Sequence, residues 1–178
     1  MLIFSDAETA PATGLFEHLV NVEDRIQRQQ DWLKRYSQPL VTFTINIPGP
    51  AKNTSQSKTI FEQGIEALTL ACADRGWSIT TRQILHKMTG PEAIFIIDAP
   101  SGTLLKAAMI KIEHGHQLGR LMNLDVLDTD GQTISRSGYQ MPKRKCLICG
   151  KEKTIFDRFH HHDLDEHLKK IRAMVERV

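Results

Sequence analysis

The chain has 178 residues, 40% of them hydrophobic and 25% charged, with a formal net charge of +2. Those proportions suit one folded domain with a real core and exclude a disordered chain. The charge is too mild to imply nucleic-acid binding, so any anion site has to come from local clusters of Lys and Arg.

The opening, Met1-Leu2-Ile3-Phe4-Ser5-Asp6, lacks the basic start and long apolar run of a secretory signal, and no apolar stretch approaches a membrane span. Cys72, Cys146 and Cys149 make an odd set with one Cys-x-x-Cys pair, which argues against a secreted disulfide framework. The expected location is the cytoplasm, with neither nucleic acid nor membrane as a partner.

Residues 14–36 read as helix, with Asn21 the place for a break into two pieces. Leu15, Phe16, Leu19 and Val20 form one apolar face, and Arg25, Arg28, Lys34 and Arg35 surround the sparser Ile26, Trp32 and Leu33. Val41-Thr42-Phe43-Thr44-Ile45-Asn46-Ile47 alternates as a half-buried strand does, and Pro48-Gly49-Pro50 stops it. A helix then starts among Thr54, Ser55 and Ser57. It carries Ile60, Phe61, Ile65, Leu68, Ala71 and Cys72 at helical spacing, and Gly76 suits its C-terminal end.

Trp77 to about Met88 predicts a strand and Thr89-Gly90-Pro91 a turn. Ala93-Ile94-Phe95-Ile96-Ile97 is a continuous apolar run fit for a buried strand. Pro100-Ser101-Gly102 opens a helix with Leu104, Leu105, Ala108, Met109 and Ile112 on its apolar face, ending at Gly115. Arg120 to Leu127 is the next strand. Asp130-Gly131 turns it toward a short partner around Gln132 to Ser135. Asp163 with Glu166 resembles a capping box for a last helix striped by Leu164, Leu168, Ile171 and Val175.

This order of strands and helices predicts an α+β fold: a ferredoxin-like, split βαβ antiparallel sheet with helices on one face. A small C-terminal Cys/His segment and helix would be added to it. One α+β domain over 1–140 is expected, with the Cys-x-x-Cys segment and amphipathic helix of 141–178 packed on it. The chain shows no internal repeat and no low-complexity linker.

The segment richest in chemistry runs from Glu113 to Val126. Alternation along a strand sends Met122, Leu124 and Val126 to the core and puts Asn123 and Asp125 together on the other face. Oxygen ligands side by side on a rigid strand suit Mg²⁺ when a phosphate supplies the remaining oxygens. His114, His116 and Arg120 lie just before that strand, making a corner suited to phosphoryl transfer. Asn and Asp also occupy ordinary solvent faces, and the histidines also suit a helix end. Asp128-Thr129-Asp130-Gly131 is no calcium loop, because Val126 would hold its first ligand position and no closing acid follows. Cys146 and Cys149, with one or two of His160, His161 and His162, are candidate ligands for zinc. A reduced thiol pair beside exposed histidines is the alternative.

Several ordered stretches carry a resemblance. They are Glu23-Asp24-Arg25, Trp32-Leu33-Lys34-Arg35, Pro39 to Thr44, Ile47-Pro48-Gly49-Pro50-Ala51-Lys52, Glu113-His114-Gly115-His116, Leu118-Gly119-Arg120-Leu121, and Arg144-Lys145-Cys146-Leu147-Ile148-Cys149. By these the chain resembles the CitX family, the apo-citrate lyase phosphoribosyl-dephospho-CoA transferases. The resemblance implies nucleotidyl transfer. A serine of the citrate lyase acyl carrier subunit would attack triphosphoribosyl-dephospho-CoA, and pyrophosphate would leave. It implies Asp125, His116 and Arg120 as catalytic residues, with His116 as the base or as a phosphate contact. It implies Arg25, Lys52, His114 and Asn46 as substrate-binding residues, Arg and Lys being suited to phosphate oxygens. Mg²⁺ would sit on Asp125 and Asn123, and structural Zn²⁺ on Cys146, Cys149 and His162.

Two departures from the family pattern stand out. Asn123 replaces the first Asp of an Asp-x-Asp, and Phe156 stands where relatives often have a third Cys. Two other functions compete with the transferase: a non-catalytic zinc-knuckle binding module, and a metal-dependent phosphohydrolase built on His114, His116 and Asp125.

Overall fold

The computed structural model describes residues 14–139, 145–151 and 162–178. Lys143, Arg144, Phe156, His160 and His161 lie outside the described residues. In chain order the elements are α1 (Leu15–Tyr36), β1 (Leu40–Ile45), α2 (Ser55–Ala73), β2 (Ser78–Lys87), β3 (Gly90–Asp98), α3 (Gly102–Gly115), β4 (Met122–Leu127) and α4 (Leu164–Val175). The strands form one sheet in the order β2-β3-β1-β4, and all neighbours are antiparallel. β3 therefore separates β1 from β2, which run parallel to each other. The α+β antiparallel sheet expected from the sequence is present.

Alternation in β1 sorts its side chains between the two faces. Val41 and Phe43 enter the main core with Phe95, Ile97, Leu124 and Val126. There they meet Ile60, Phe61 and Leu68 of α2, Leu105, Met109 and Ile112 of α3, and Ile171 of α4. Phe43 stacks on Phe61 with ring centroids 5.0 Å apart. The close approach needs Gly64, where an added Cβ would lie 2.1 Å from Phe43 Cζ.

The expectation of helices on one face needs correction. α2, α3 and α4 pack there, but α1 covers the other face, where Leu33, Trp32 and Tyr36 meet Leu40, Ile94, Ile96 and Leu127. The continuous apolar run in β3 is the physical reason. Phe95 and Ile97 point one way and Ile94 and Ile96 the other, so both faces need cover.

α1 is one helix with no break at Asn21. That side chain is spent on tertiary bonds instead of competing for the helix backbone. Its Nδ2 donates to Glu92 Oε2 at 3.2 Å and its Oδ1 accepts from Lys87 Nζ.

The strand expected from Arg120 begins two residues later. Gly119–Leu121 forms a 3-10 turn, folded so tightly on α3 that a Cβ at Gly119 would lie 2.4 Å from the Ile112 carbonyl oxygen. The hairpin after β4 is present, its partner reduced to a bridge between Leu127 and Thr133. β4 is an edge strand, and side chains of α3 cap that edge. The Leu124 N–H donates to Glu113 Oε1 at 2.9 Å, and its carbonyl accepts from Lys106 Nζ at 2.9 Å. α4 begins as expected, with Asp163 Oδ1 accepting from the Glu166 N–H at 2.7 Å.

Candidate active site

The ends of β1 and β2 and the starts of β3 and β4 meet at one end of the sheet. On the α1 face, the register puts Glu92, Thr44 and Asn123 in one row and Ile94, Thr42 and Asp125 in the next. Glu92 anchors the first row. It is 4% exposed, yet it carries a charge because cations surround it. Its Oε2 accepts from Arg25 Nη2 at 2.8 Å and Nε at 3.1 Å, and its Oε1 from Arg28 Nη1 at 2.9 Å. Lys87 Nζ is 3.3 Å from Oε1. Burial pushes the Glu92 carboxyl up, but Arg25, then Lys87 and Asn21, outweigh it and hold the group below the usual carboxylate range. Asp24 is 4.0 Å from Lys87, so three cations face two carboxylates and one positive charge is left over.

Asn123 and Asp125 share this face, as alternation predicts. Asn123 Nδ2 donates to Asp125 Oδ2 at 2.7 Å. Lys106 reaches round the β4 edge, with its Nζ 3.9 Å from Asp125 Oδ1. The Asp125 side chain is 44% exposed, so one carboxylate on a rigid strand faces solvent beside a neutral amide. That donor set fits Mg²⁺ in the form it commonly takes, with one protein carboxylate and the remaining ligands from phosphate and water.

The other expected residues are distributed around this end. Arg120 is exposed and its Nη2 donates to the Lys145 carbonyl, tying the C-terminal segment to the start of β4. Lys52 donates from Nζ to the Ile47 carbonyl, and burial lowers its pKa from the usual ammonium value. The Asn46 N–H donates to the Leu121 carbonyl at 2.7 Å, and the residue is exposed. His116 Nδ1 accepts from the Leu118 N–H at 3.1 Å, which leaves the ring hydrogen of the neutral imidazole on Nε2. His114 Nε2 lies 3.3 Å from Arg136 Nη1 at the outer side of β4. The contacts of the two histidines are thus to Leu118 and Arg136, not to Asp125.

Cys146, Cys149 and His162 do come together, their ligand atoms all within 4.8 Å of one another. Burial raises the Cys146 thiol, but the backbone N–H groups of Cys149 and Ile148 outweigh it. With the side chains of Cys149 and His167, they bring it down to about 7. A separate cleft of about 860 Å³ runs between residues 47–59 and α4, on the side of the sheet away from Asp125.

Sequence reasoning passed over Glu92, Lys87 and Asn21. The signal was there in part, since Asn21, Arg25 and Arg28 recur at i, i+4 and i+7 on one helix face. Only the fold shows that a lone acid at the head of a buried strand lies opposite them.

Residues 14–178 match the family model described as CitX, apo-citrate lyase phosphoribosyl-dephospho-CoA transferase. The chain belongs to this family. A probable apo-citrate lyase phosphoribosyl-dephospho-CoA transferase of Vibrio cholerae serotype O1 (strain M66-2) is 45% identical over 163 residues, covering 92% of each chain. The apo-citrate lyase phosphoribosyl-dephospho-CoA transferase of Shigella boydii serotype 18 (strain CDC 3083-94 / BS512) is 39% identical over 167 residues, covering 94% of this chain and 91% of the relative. Membership makes this chain a transferase enzyme. Among the described residues, no helix is long and apolar enough to cross a membrane.

Proposed function

We propose that the enzyme moves a phosphoribosyl-dephospho-CoA group from its triphosphoribosyl precursor to a serine of the apo acyl carrier subunit of citrate lyase. The serine oxygen forms a bond to the α-phosphorus of the triphosphate. The bond from that phosphorus to the bridging oxygen breaks, pyrophosphate leaves with the electron pair, and the hydroxyl proton passes to solvent water.

The observation that carries this reading is the cationic group on Glu92, in one row with Asn123 and one row from the partly exposed Asp125 on the α1 face, in a chain of this family. Glu92 fixes Arg25, Arg28 and Lys87 in place, and their surplus charge suits the triphosphate. Lys52, Arg120, Asn46 and His114 would add phosphate and sugar contacts. His116 presents an Nε2–H donor, which favours a phosphate contact over removal of the serine proton. Asp125 and Asn123 would hold Mg²⁺, which supplies charge neutralisation on the phosphates when bound.

Intact-mass measurement of the apo carrier subunit, incubated with enzyme, Mg²⁺ and precursor, tests the proposal. The carrier gains the mass of the prosthetic group if the reading is right. Precursor hydrolysis with an unchanged carrier would instead identify a phosphohydrolase. An unchanged carrier and precursor would leave a binding module.

A further inference from the structure

The Cys/His group at the C-terminal end, Cys146, Cys149 and His162, has a further imidazole beside it. His167 stands in the first part of α4, next to His162. Its ring is 6.0 Å from the His162 ring, centroid to centroid, at an interplanar angle of 72°. Along the chain, two residues separate Cys146 from Cys149, twelve separate Cys149 from His162, and four separate His162 from His167. That spacing lies within the Cys-x₂-Cys…His-x₃₋₅-His range of four-ligand zinc sites.

The orientation of the two imidazoles is what a metal requires. His162 Nδ1 lies 3.1 Å from Glu166 Oε2, and His167 Nδ1 lies 3.0 Å from the Asp163 carbonyl oxygen. A carboxylate and a carbonyl only accept, so each Nδ1 carries the hydrogen and each Nε2 carries the lone pair. Metal-binding histidines are commonly oriented in this way, with the far nitrogen donating to a carboxylate or a carbonyl. His162 Nε2 is buried and has no hydrogen-bond partner among the described residues. Buried polar atoms normally find a partner, and a metal ion supplies one. The Cys side is built to match. The Cys146 N–H donates to the Lys151 carbonyl at 2.7 Å, and the Gly150 N–H to the Cys146 carbonyl at 3.1 Å. Gly150 holds φ at 71°, which closes the turn that brings both sulfurs to one side.

We propose that Cys146, Cys149, His162 and His167 form a closed, four-ligand zinc site with His167 as the fourth ligand. Four protein ligands leave no position for water or substrate, so the ion is structural. It joins the 146–149 turn to the start of α4. Arg120 holds the Lys145 carbonyl, and Leu147, Ile171, Met174 and Val175 pack on the main core. The zinc site therefore fixes the C-terminal segment against the end of the sheet that carries Asn123 and Asp125.

The test uses the full chain purified without chelator. Metal analysis by mass spectrometry after zinc loading should give one zinc per chain. Competition with a chromogenic chelator should show His167→Ala binding zinc about 100-fold more weakly or worse, since loss of a second-shell partner alone costs up to that much. His18→Ala, an exposed position on α1, should match the parent chain. X-ray absorption of the zinc-loaded parent chain should count two sulfurs and two imidazole nitrogens, a reading independent of whether any variant folds. A parent chain that retains no zinc, a His167→Ala variant that binds as tightly as the parent, or a site with a single imidazole would each overturn the proposal.

Discussion

The two faces of the sheet are made by the same strands and stabilised in different ways. Toward α2 and α3, burial is mainly apolar, from Phe43 and Phe95 to Leu124 and Val126, with Ser57 of α2 and the edge-capping Lys106 and Glu113 of α3 as buried polar residues. Toward α1, the face divides along its length. The last turns of α1 pack Leu33, Trp32 and Tyr36 on Leu40, Ile94 and Ile96, while Asn21, Arg25 and Arg28 meet Glu92 at the other end. Apolar packing tolerates sliding, whereas a buried carboxylate with several donors fixes angles and distances. The ionic half is therefore the one able to hold side chains in a set geometry beside Asp125. The same face is left partly open there, as the proposed triphosphate substrate would require.

The largest effect expected is on chemistry alone. Asp125→Asn should lower kcat by about 100-fold or more, the scale of losing one group that stabilises developing charge. Its stability should fall by less than about 1 kcal/mol, because the carboxylate is partly exposed and its partner Lys106 is 3.9 Å away. Steady-state kinetics beside a thermal melt separates the two. Near-normal turnover would move the chemistry away from the β4 face.

A paired experiment breaks the comparison of the faces if it fails. Gly64→Ala places a Cβ 2.1 Å from Phe43 Cζ on the apolar face, and overpacking of that kind should cost about 3 kcal/mol at any pH from 3 to 8. Glu92→Gln leaves Arg25, Arg28 and Lys87 facing a neutral amide. It should cost about 2 kcal/mol at neutral pH, less than a fully buried pair because the cations reach solvent. The pH dependence distinguishes them. Glu92 has a lowered pKa in the fold, so its contribution is complete above the unfolded value of about 4.3. It is lost as pH falls through the lower folded value. The gap in melting temperature between the parent and Glu92→Gln should hold from pH 8 to 5 and close below pH 4. A gap that closes between pH 8 and 6 would assign the charge effect to another group.

What could be read from the sequence follows the same division. Apolar period and turn chemistry located each α-helix and strand among the described residues but neither 3-10 turn, because Val41/Phe43 alternation, the Ala93–Ile97 run and the Asp163 cap are local signals. The placement of Asn123 and Asp125 on one face followed from alternation alone. Glu92 was not legible as a site residue, because its partners on α1 lie 64 to 71 positions away and only the packing of α1 on the sheet joins them. Asn21 misled for the same reason: locally it is a poor helix residue, and its tertiary bonds reverse that preference. His167 was not legible beside the run His160, His161 and His162, which is the stronger local signal. The five-residue step from His162 to His167 becomes meaningful only when α4 starts between them.

The smallest effect concerns docking of the proposed carrier subunit. Acyl carrier proteins are generally acidic, and complementary charge mainly speeds encounter and sets orientation. Two basic clusters are available, Lys143-Arg144-Lys145 and the exposed Lys169, Lys170 and Arg172 of α4. The first has the closer connection to the proposed chemistry, since Arg120, which immediately precedes β4, holds the Lys145 carbonyl. Reversing Lys143 and Arg144 to Glu should raise KM for the carrier several-fold at low salt and leave KM for the precursor unchanged. Reversing Lys169 and Lys170 should do less. Exposed charges are screened over about 10 Å at 0.1 M salt, so the difference should shrink as salt is raised. If the first double reversal leaves the carrier KM unchanged at low salt, the carrier docks elsewhere. If both reversals act equally, α4 belongs to the docking surface, and its attachment at Cys146, Cys149, His162 and His167 would then set carrier affinity as well as fold.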